Sequence, residues 1–159
     1  MKYNRFEDLP VWQDAIELAV RVFALTARPA FRGHYDLKDQ LERSAVSISN
    51  NIAEGFERGT TNETVTFLYI SRGSSGEVRS MSCLLDRLPR FENLRSEISD
   101  LRSRSESISR QLRGWTDSLQ NSNIRGQRYL TDKSRRLAKQ ARERDEFLKE
   151  LEEIRNRNR

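Results

Sequence analysis

The 159-residue sequence has little of what catalytic and disulfide-rich proteins use most. It contains one cysteine, Cys83, and one histidine, His34. A single cysteine excludes an intrachain disulfide framework and a cysteine-based zinc site, and a single histidine excludes a histidine cluster for a metal or for acid–base catalysis. Seven glycines and three prolines are too few for the many turns of a β-sandwich or barrel. We therefore expect a protein that is not an enzyme and holds neither a metal nor another cofactor.

Long apolar runs are also missing from the sequence. No stretch approaches the roughly 20 apolar residues that span a bilayer, and the first residues are not followed by the apolar core of a signal peptide. Hydrophobic residues make up 35% of the chain and charged residues 33%, which is typical of a small helical protein with a large wetted surface. The sequence therefore predicts a soluble cytoplasmic protein with no membrane partner.

Apolar residues recur every three or four positions through the first 120 residues, which indicates a series of helices. The first helix is predicted to begin at Pro10, with Asp8 as its cap. Its apolar face is widened by Trp12, Ile16, Ala19 and Phe23. Residues 28–35 contain Pro29 and a glycine, and this predicts a loop.

The limits of the next two helices are predicted from residues that cap helix starts and residues that end helices. The second begins at Asp36, and Thr60 with Glu63 forms a capping box that opens the third. Pro89 ends the third helix. Its middle, residues 71–76, consists of serine, glycine and one arginine, yet the helical period resumes in phase on both sides. We therefore predict one continuous helix with a narrow waist, where small side chains let a neighbouring backbone come close.

The fourth helix has the clearest pattern, because its apolar positions alternate spacings of four and three, as at the seam of a helix bundle. They are Leu94, Ile98, Leu101, Ser105, Ile108, Leu112, Trp115 and Leu119. Four helices with short links predict an all-α, antiparallel up-and-down four-helix bundle over residues 1–120. A hinge is predicted at Asn121, Ser122, Asn123 and Gly126. Residues 121–159 then form a charged C-terminal extension, whose thin apolar stripe predicts an exposed helix.

The net charge of +5 lies entirely in that extension. Residues 1–120 hold 17 basic and 17 acidic residues, whereas residues 121–159 hold 12 and 7. The basic residues of the first half of the extension are candidates for binding phosphates, with strong salt dependence. They are Arg125, Arg128, Lys133, Arg135, Arg136, Lys139 and Arg142. The alternative is a solvated helix whose basic stretch pairs with the acidic stretch at 143–154, in the same chain or in a neighbouring copy.

Polar side chains also lie beside the apolar stripe of the second helix. Four of them share one helical face: Gln40, Ser44, Ser47 and Asn51. One interpretation is a polar network between helices that fixes their register, with carboxylates pairing arginines. The carboxylates would be Glu54 and Glu77, and the arginines Arg43 and Arg72. The other interpretation is a subunit seam or a ligand cleft. A catalytic carboxylate pair is disfavoured, because the Glu-x-x-His repeat of di-iron bundles does not accompany it.

Three strings in the first 80 residues resemble the signature of a known family. They are LPVWQDA at 9–15, QLERSAVSISNNIAEG at 40–55 and FLYISRGSSGE at 67–77. The family consists of four-helix-bundle proteins encoded in intervening sequences of bacterial large-subunit ribosomal RNA genes. It includes the accessory variability determinants of diversity-generating retroelements, which are basic, ring-forming homopentamers that bind a reverse transcriptase and its RNA. Glu42, Ser49 and Ser75 differ from the residues common in the family at those positions.

The resemblance implies a role in packing or in a subunit interface for the motif residues. These are Gln40, Arg43, Ser47, Asn51, Glu54, Gly55, Arg72, Gly73, Ser74 and Glu77. It also implies a homo-oligomer, by analogy a homopentamer. The predicted function is a non-enzymatic scaffold of a ribonucleoprotein that binds RNA or DNA, with RNA favoured, and that serves a reverse transcriptase as an accessory subunit. The alternative is a structural protein-interaction module that binds no nucleic acid. Retroelement and ribosomal-RNA-gene contexts both stay open.

Overall fold

The computed structural model describes residues 3–123, 125–126, 136, 140, 143–144 and 147–149. Four long helices account for most of the first 120 residues, as the sequence predicted. Their bounds are α1 Pro10–Thr26, α2 Tyr35–Glu57, α3 Thr61–Arg87 and α4 Arg95–Gln120. Three short 3₁₀ turns lie between or before them, at Phe6–Asp8, Pro29–Phe31 and Pro89–Leu94.

The helix starts agree only in part with the predicted caps. The capping box is confirmed, because the Glu63 N–H donates to Thr60 Oγ1 at 3.2 Å. The Thr60 hydroxyl in turn donates to the Glu63 carboxylate at 2.6 Å. The Asp8 cap is wrong. Asp8 belongs to the first 3₁₀ turn, Leu9 takes the capping position without a side-chain bond, and Pro10 opens α1.

Side-chain contacts show that neighbouring helices are antiparallel. Between α1 and α4, Gln111 donates to Asp14 at 2.7 Å, and Arg21 pairs with Asp100 at 3.2 Å. A residue further along α1 therefore meets a residue earlier in α4. The α2–α3 pairs run the same way, and α3 meets α4 through Ser75, whose hydroxyl donates to the Ser105 carbonyl at 2.7 Å. This is the predicted antiparallel bundle.

The core lies along the inner stripes of all four helices. The largest fully buried side chains are Phe91, Leu18, Leu25, Leu41, Ile48, Ile52, Leu68, Leu85, Ile98, Leu101, Ile108 and Leu112. The predicted heptad stripe of α4 is buried from Ile98 to Leu112, whereas Trp115 and Leu119 are only partly buried. The predicted widening of the apolar face of α1 is wrong for Ile16 and Phe23. Both point away from the core and are exposed.

The predicted narrow waist of α3 is present, and serines rather than glycines create it. Ser71 and Ser75 are fully buried. The Ser71 hydroxyl donates to the Ile48 carbonyl on α2 at 2.9 Å, while Ser75 reaches α4. A Cβ added to Gly73 or Gly76 would meet no other heavy atom within 4 Å. The helix is continuous because small hydroxyl side chains on its inner face satisfy their own hydrogen bonds.

The end of the bundle opposite the start of α1 is closed by two connections that touch. Arg90 donates from Nε to the Ala30 carbonyl at 2.6 Å and from a terminal nitrogen to the Arg32 carbonyl at 2.8 Å. The rings of Phe31 and Phe91 pack with centroids 4.8 Å apart. The α1–α2 connection is therefore held against the α3–α4 connection.

Beyond α4, the described residues belong to the predicted C-terminal extension. Arg136, Gln140, residues 143–144 and residues 147–149 are helical and exposed, which agrees with the predicted exposed helix at those positions. The boundary at residue 120 between bundle and extension stays a prediction. Within the part of the chain that the structure describes, no helix is both long and apolar enough to cross a membrane.

Candidate functional site: the polar seam between α2 and α3 and the outer face of α2

Small polar side chains hydrogen-bond across the seam between α2 and α3. The Ser44 hydroxyl donates to the Glu77 carboxylate at 2.7 Å. One turn further along, the hydroxyls of Ser47 and Ser74 lie 2.9 Å apart. These bonds join two of the predicted motif strings, since Ser44 and Ser47 belong to the second and Ser74 and Glu77 to the third. They link the helices at fixed positions and so define their register.

Asn51 extends this seam toward the α2–α3 turn. Its Nδ2 donates to the Ser47 carbonyl at 2.7 Å and to the Ser47 hydroxyl at 3.0 Å. Among the described residues, no buried side-chain nitrogen or oxygen lacks a hydrogen-bond partner. The network is only partly buried, and such a network is stabilising when its buried members are satisfied, as they are here.

The predicted pairing of carboxylates with arginines across the helices is wrong. Glu54 pairs with Arg58, four residues later on the same helix. Arg43 likewise pairs within α2, with Asp39 at 3.3 Å, and it also donates to Gln40 at 3.1 Å. Glu77 instead accepts the Ser44 hydroxyl. Side chains four residues apart on one helix are neighbours on its surface, and long charged side chains can pair there in solvent.

Gly55 marks a close approach between the two helices. A Cβ built on it would lie 2.9 Å from the Phe67 Cβ and 3.3 Å from the Thr64 carbonyl oxygen. The Arg58 guanidinium covers the Phe67 ring, 4.6 Å from its centroid. Of the other predicted motif residues, Gly73 is exposed and Arg72 is partly buried. Gly73 therefore makes no close packing contact with the other helices, and its place in a subunit interface stays a prediction.

The outer face of α2 forms a groove with α1. Its volume is about 440 Å³, and it is lined by Phe23, Asp39, Glu42, Arg43, Val46, Ser47, Asn50 and Asn51. Beside it, α1 presents an apolar row whose side chains are 37%, 58% and 48% exposed at Ile16, Val20 and Phe23. We call the groove and this row together the α1–α2 face. Sequence periodicity had counted Ile16 and Phe23 as core, whereas the exposure of their side chains shows that they point outward.

Glu42 sits at the edge of this face. It accepts a hydrogen bond from the Thr26 hydroxyl on α1, and Lys38 lies 3.7 Å away. A carboxylate at this position therefore ties α1 to α2, which gives a structural role to one of the residues that departs from the common pattern of the family.

The structure describes two of the seven phosphate-binding residues that were predicted in the extension. Arg125 is exposed, and its carbonyl accepts a hydrogen bond from the Thr61 N–H at 3.1 Å. Arg136 is also exposed. The other five predicted phosphate-binding residues lie outside the described residues: Arg128, Lys133, Arg135, Lys139 and Arg142.

Groups with catalytic chemistry are dispersed in the described part of the chain. No cluster of three or more His, Cys, Asp and Glu side chains there could hold a metal ion. His34 lies beside the ring of Phe91, with centroids 6.2 Å apart, and Cys83 is partly buried on α3. At the exposed first turn, the hydrogen bond from Arg5 lowers the pKa of the Glu7 carboxyl and raises the pKa of Arg5. That pair is not part of the α2–α3 seam.

With this geometry in place, comparison with known proteins identifies the family. The family model described as 23S rRNA-intervening sequence protein matches residues 7–114. The chain belongs to this family. The match includes the α2–α3 seam and the α1–α2 face, and it ends six residues before α4 does. The charged extension therefore lies outside the part that defines a 23S rRNA-intervening sequence protein.

Comparison with solved structures shows the same fold. One of them is a crystal structure of a protein with unknown function from the S23 ribosomal protein family of Bacteroides thetaiotaomicron VPI-5482. It is 22% identical, covers 67% of this chain and 97% of its own, and superposes with a TM-score of 0.59. At this identity the likeness shows the bundle fold. No curated protein matches the chain.

Proposed function

We propose that the protein is a non-catalytic, homo-oligomeric scaffold of a ribonucleoprotein. In this proposal the bundles associate through the α1–α2 face, and the C-terminal extensions bind nucleic acid, with RNA favoured. The observation that carries the proposal is the exposed apolar row of Ile16, Val20 and Phe23 beside a groove on α2. Contiguous exposed apolar surface with a polar rim is typical of protein–protein contacts.

The chemistry of the α1–α2 face supports a second copy of the chain as its occupant. Phe23 offers a rigid aromatic side chain at the edge of the groove, and aromatic residues are enriched at interface centres. Arg43 pairs with Asp39 and Lys38 with Glu42, so the charges along this rim are balanced in pairs and present no excess that a copy would repel. The resemblance to ring-forming proteins favours a closed ring, by analogy a pentamer.

Assembly would multiply the weak affinity of one extension for nucleic acid. The bundle sequence is neutral, so its field neither attracts nor repels phosphates strongly. Each extension carries seven basic residues and one acidic residue between positions 125 and 142. Several such segments on one particle bind a polyanion with a high effective concentration, which raises the overall affinity without new contacts. By resemblance, a reverse transcriptase is the protein partner that would dock on the bundle.

The oligomer is tested by sedimentation of two matched variants. Phe23 and Leu84 are 48% and 47% exposed but lie on different helices, α1 and α3. We expect Phe23→Asp to lower the oligomeric state, because a buried charge at the contact is costly, and Leu84→Asp to leave it unchanged. A monomeric parent protein would overturn the assembly. Dissociation by Leu84→Asp alone would place the contact elsewhere.

Nucleic-acid binding is tested by removing equal charge from the two regions of the full chain. One variant changes Arg128, Arg135 and Arg142 to Gln, and its control changes the exposed Arg79, Arg87 and Arg102 of the bundle to Gln. We expect the first variant alone to weaken binding of a fluorescent structured RNA and to flatten its salt dependence. An equal loss of RNA affinity in both variants would mean that the bundle takes part in binding as much as the extension does. A parent protein without salt-sensitive binding to RNA or duplex DNA would overturn the proposal.

A second candidate is a protein-interaction module without nucleic acid. Phe147 and Leu148 are adjacent helical residues that are 58% and 51% exposed, so the extension also presents apolar surface. A helix of this kind can lie in an apolar groove of another protein. Absence of salt-sensitive nucleic-acid binding, together with an oligomer that survives in high salt, would favour this candidate.

A further inference from the structure

The first residues after α4 lie against the turn between α2 and α3. The Thr61 N–H, at the first position of α3, donates to the Arg125 carbonyl at 3.1 Å. The first N–H groups of a helix have no partner within that helix. Thr61 is therefore satisfied by a residue 64 positions later in the chain, and this bond ties the beginning of α3 to the root of the extension.

Gly126 packs more tightly on the same turn than any other residue type could. Its φ is +105°, in the region that favours glycine. A Cβ on this residue would lie 2.5 Å from the Thr60 Cα, 2.6 Å from the Gly59 carbonyl oxygen and 2.8 Å from the Thr61 nitrogen. These neighbours are backbone atoms, which cannot swing aside as a flexible side chain can. The positive φ and the lack of room for a Cβ are therefore two independent reasons for glycine at position 126.

The residues between α4 and this contact are also hydrogen-bonded. The Asn121 N–H donates to the Asp117 carbonyl at 3.1 Å, and the Ser122 N–H to the Leu119 carbonyl at 3.2 Å. The chain then borders a cleft of about 920 Å³, whose walls include the start of α3 and the end of α4. The sequence predicted a hinge here from its small polar residues. The contacts at Thr61 and Gly126 instead hold this segment at two points.

We propose that Gly126 and the α2–α3 turn form a docking joint that holds the root of the charged extension against the end of the bundle. The joint fixes the place from which the six basic residues that follow Arg125, up to position 142, leave the bundle. It acts whatever the extension binds, so it does not depend on the proposed function. Opening the joint would let the extension take many orientations relative to the end of α4.

Amide hydrogen exchange at Thr61 reports the joint directly. Its N–H is protected only while the Arg125 carbonyl is docked, because α3 offers it no partner. We expect Gly126→Ala to speed exchange of the Thr61 amide by about tenfold or more, while amides in the middle of α3 keep their protection. The matched control is Gly114→Ala on α4, where an added Cβ meets nothing within 4 Å. It should leave Thr61 unchanged.

A second pair of variants tests the joint from the side of the turn. Thr61→Pro removes the N–H donor at a helix position that accepts proline, and Thr60 before it is already extended, at φ −128° and ψ 147°. Thr61→Ser keeps both the N–H and the hydroxyl. We expect trypsin to cleave the bond after Arg125 faster in Thr61→Pro and in Gly126→Ala than in Thr61→Ser or the parent, because the scissile carbonyl is then undocked.

Two outcomes would overturn the joint. One is an unprotected Thr61 amide in the parent protein. The other is unchanged exchange and cleavage in Gly126→Ala. Loss of protection throughout α3 in Gly126→Ala would mean unfolding of the helix, and the Thr61→Pro cleavage rate then decides the question. Nucleic-acid binding enters none of these measurements, so failure of the joint and failure of the scaffold proposal are distinguishable.

Discussion

Two seams of the bundle join antiparallel helices by opposite means. At the α2–α3 seam, small hydroxyls and one glycine bring the helices close, and the bonds are partly or fully buried. At the α1–α4 seam, long charged side chains reach across the outside, as in the Arg21–Asp100 and Arg28–Glu97 pairs at 3.2 and 3.1 Å. All four of these side chains are well exposed.

This difference between the two seams indicates which of them sets the register of the bundle. A buried hydrogen bond contributes about 0.5–1.5 kcal/mol and leaves a costly unsatisfied group when it is broken, whereas an exposed ion pair contributes about 0–1 kcal/mol. Short side chains also fix the distance between backbones, while long ones tolerate displacement. We therefore expect the α2–α3 seam to fix the relative position of its two helices, and the side chains of the α1–α4 seam to adjust to the resulting packing.

The largest effect should come from adding a side chain at Gly55, where α2 and α3 approach closely. Gly55→Val should destabilise the protein by about 2–3 kcal/mol, because the new side chain overlaps Phe67 and the backbone of Thr64. Chemical denaturation measures the free energy of unfolding. Gly73→Val is the control on α3, where space is open, and it should stay within about 0.5 kcal/mol of the parent. Equal losses at both glycines would contradict the close approach.

Removing one buried hydroxyl should have an intermediate effect. Ser75→Ala deletes the donor to the Ser105 carbonyl and should cost about 1 kcal/mol relative to Ser103→Ala, an exposed serine on α4. The comparison cancels the gain in helix propensity that alanine brings. Thermal or chemical unfolding of the two variants gives the difference. If Ser75→Ala is as stable as Ser103→Ala, the narrow waist is held by packing alone.

The smallest effect should come from the charged seam. Arg21→Gln should cost no more than about 0.5 kcal/mol, and the loss should shrink as salt is added, because both partners are exposed. A double-mutant cycle with Asp100→Asn isolates the pair. Arg110→Gln, which breaks an ion pair within α4, serves as the control. A coupling free energy well above about 1 kcal/mol between Arg21 and Asp100 would mean that the α1–α4 seam stabilises the bundle as much as the α2–α3 seam does.

Sequence periodicity predicted the helices and the continuity of α3 through its serine-rich middle. Buried apolar positions on both sides of the middle shared one phase, so the small residues between them had to face the core too. Periodicity gave no information on which atoms the serines would meet. Ser75 and the Ser105 carbonyl are 30 positions apart, and their contact follows from how closely α3 approaches α4.

Two features of the site were predicted wrongly for the same reason. Arg43 and Glu54 were expected to pair across helices but found Asp39 and Arg58 on their own helix. Phe23 was counted as core but faces outward. A helical pattern gives the order of side chains around one axis, and it does not give the position of the neighbouring axis. That position decides which polar side chains meet and where the core ends.

An even number of antiparallel helices has a practical consequence for anything attached to the chain. Tyr3 and Trp115 line the same small cleft, so the beginning of α1 and the end of α4 lie at one end of the bundle. At the other end, Arg90 ties the connections together, and neither the beginning of α1 nor the end of α4 lies there. A fluorescent protein or affinity tag placed before α1 would crowd the end of the bundle from which the charged segment leaves. A short tag inserted near Gly33 would sit at the opposite pole and leave that segment accessible.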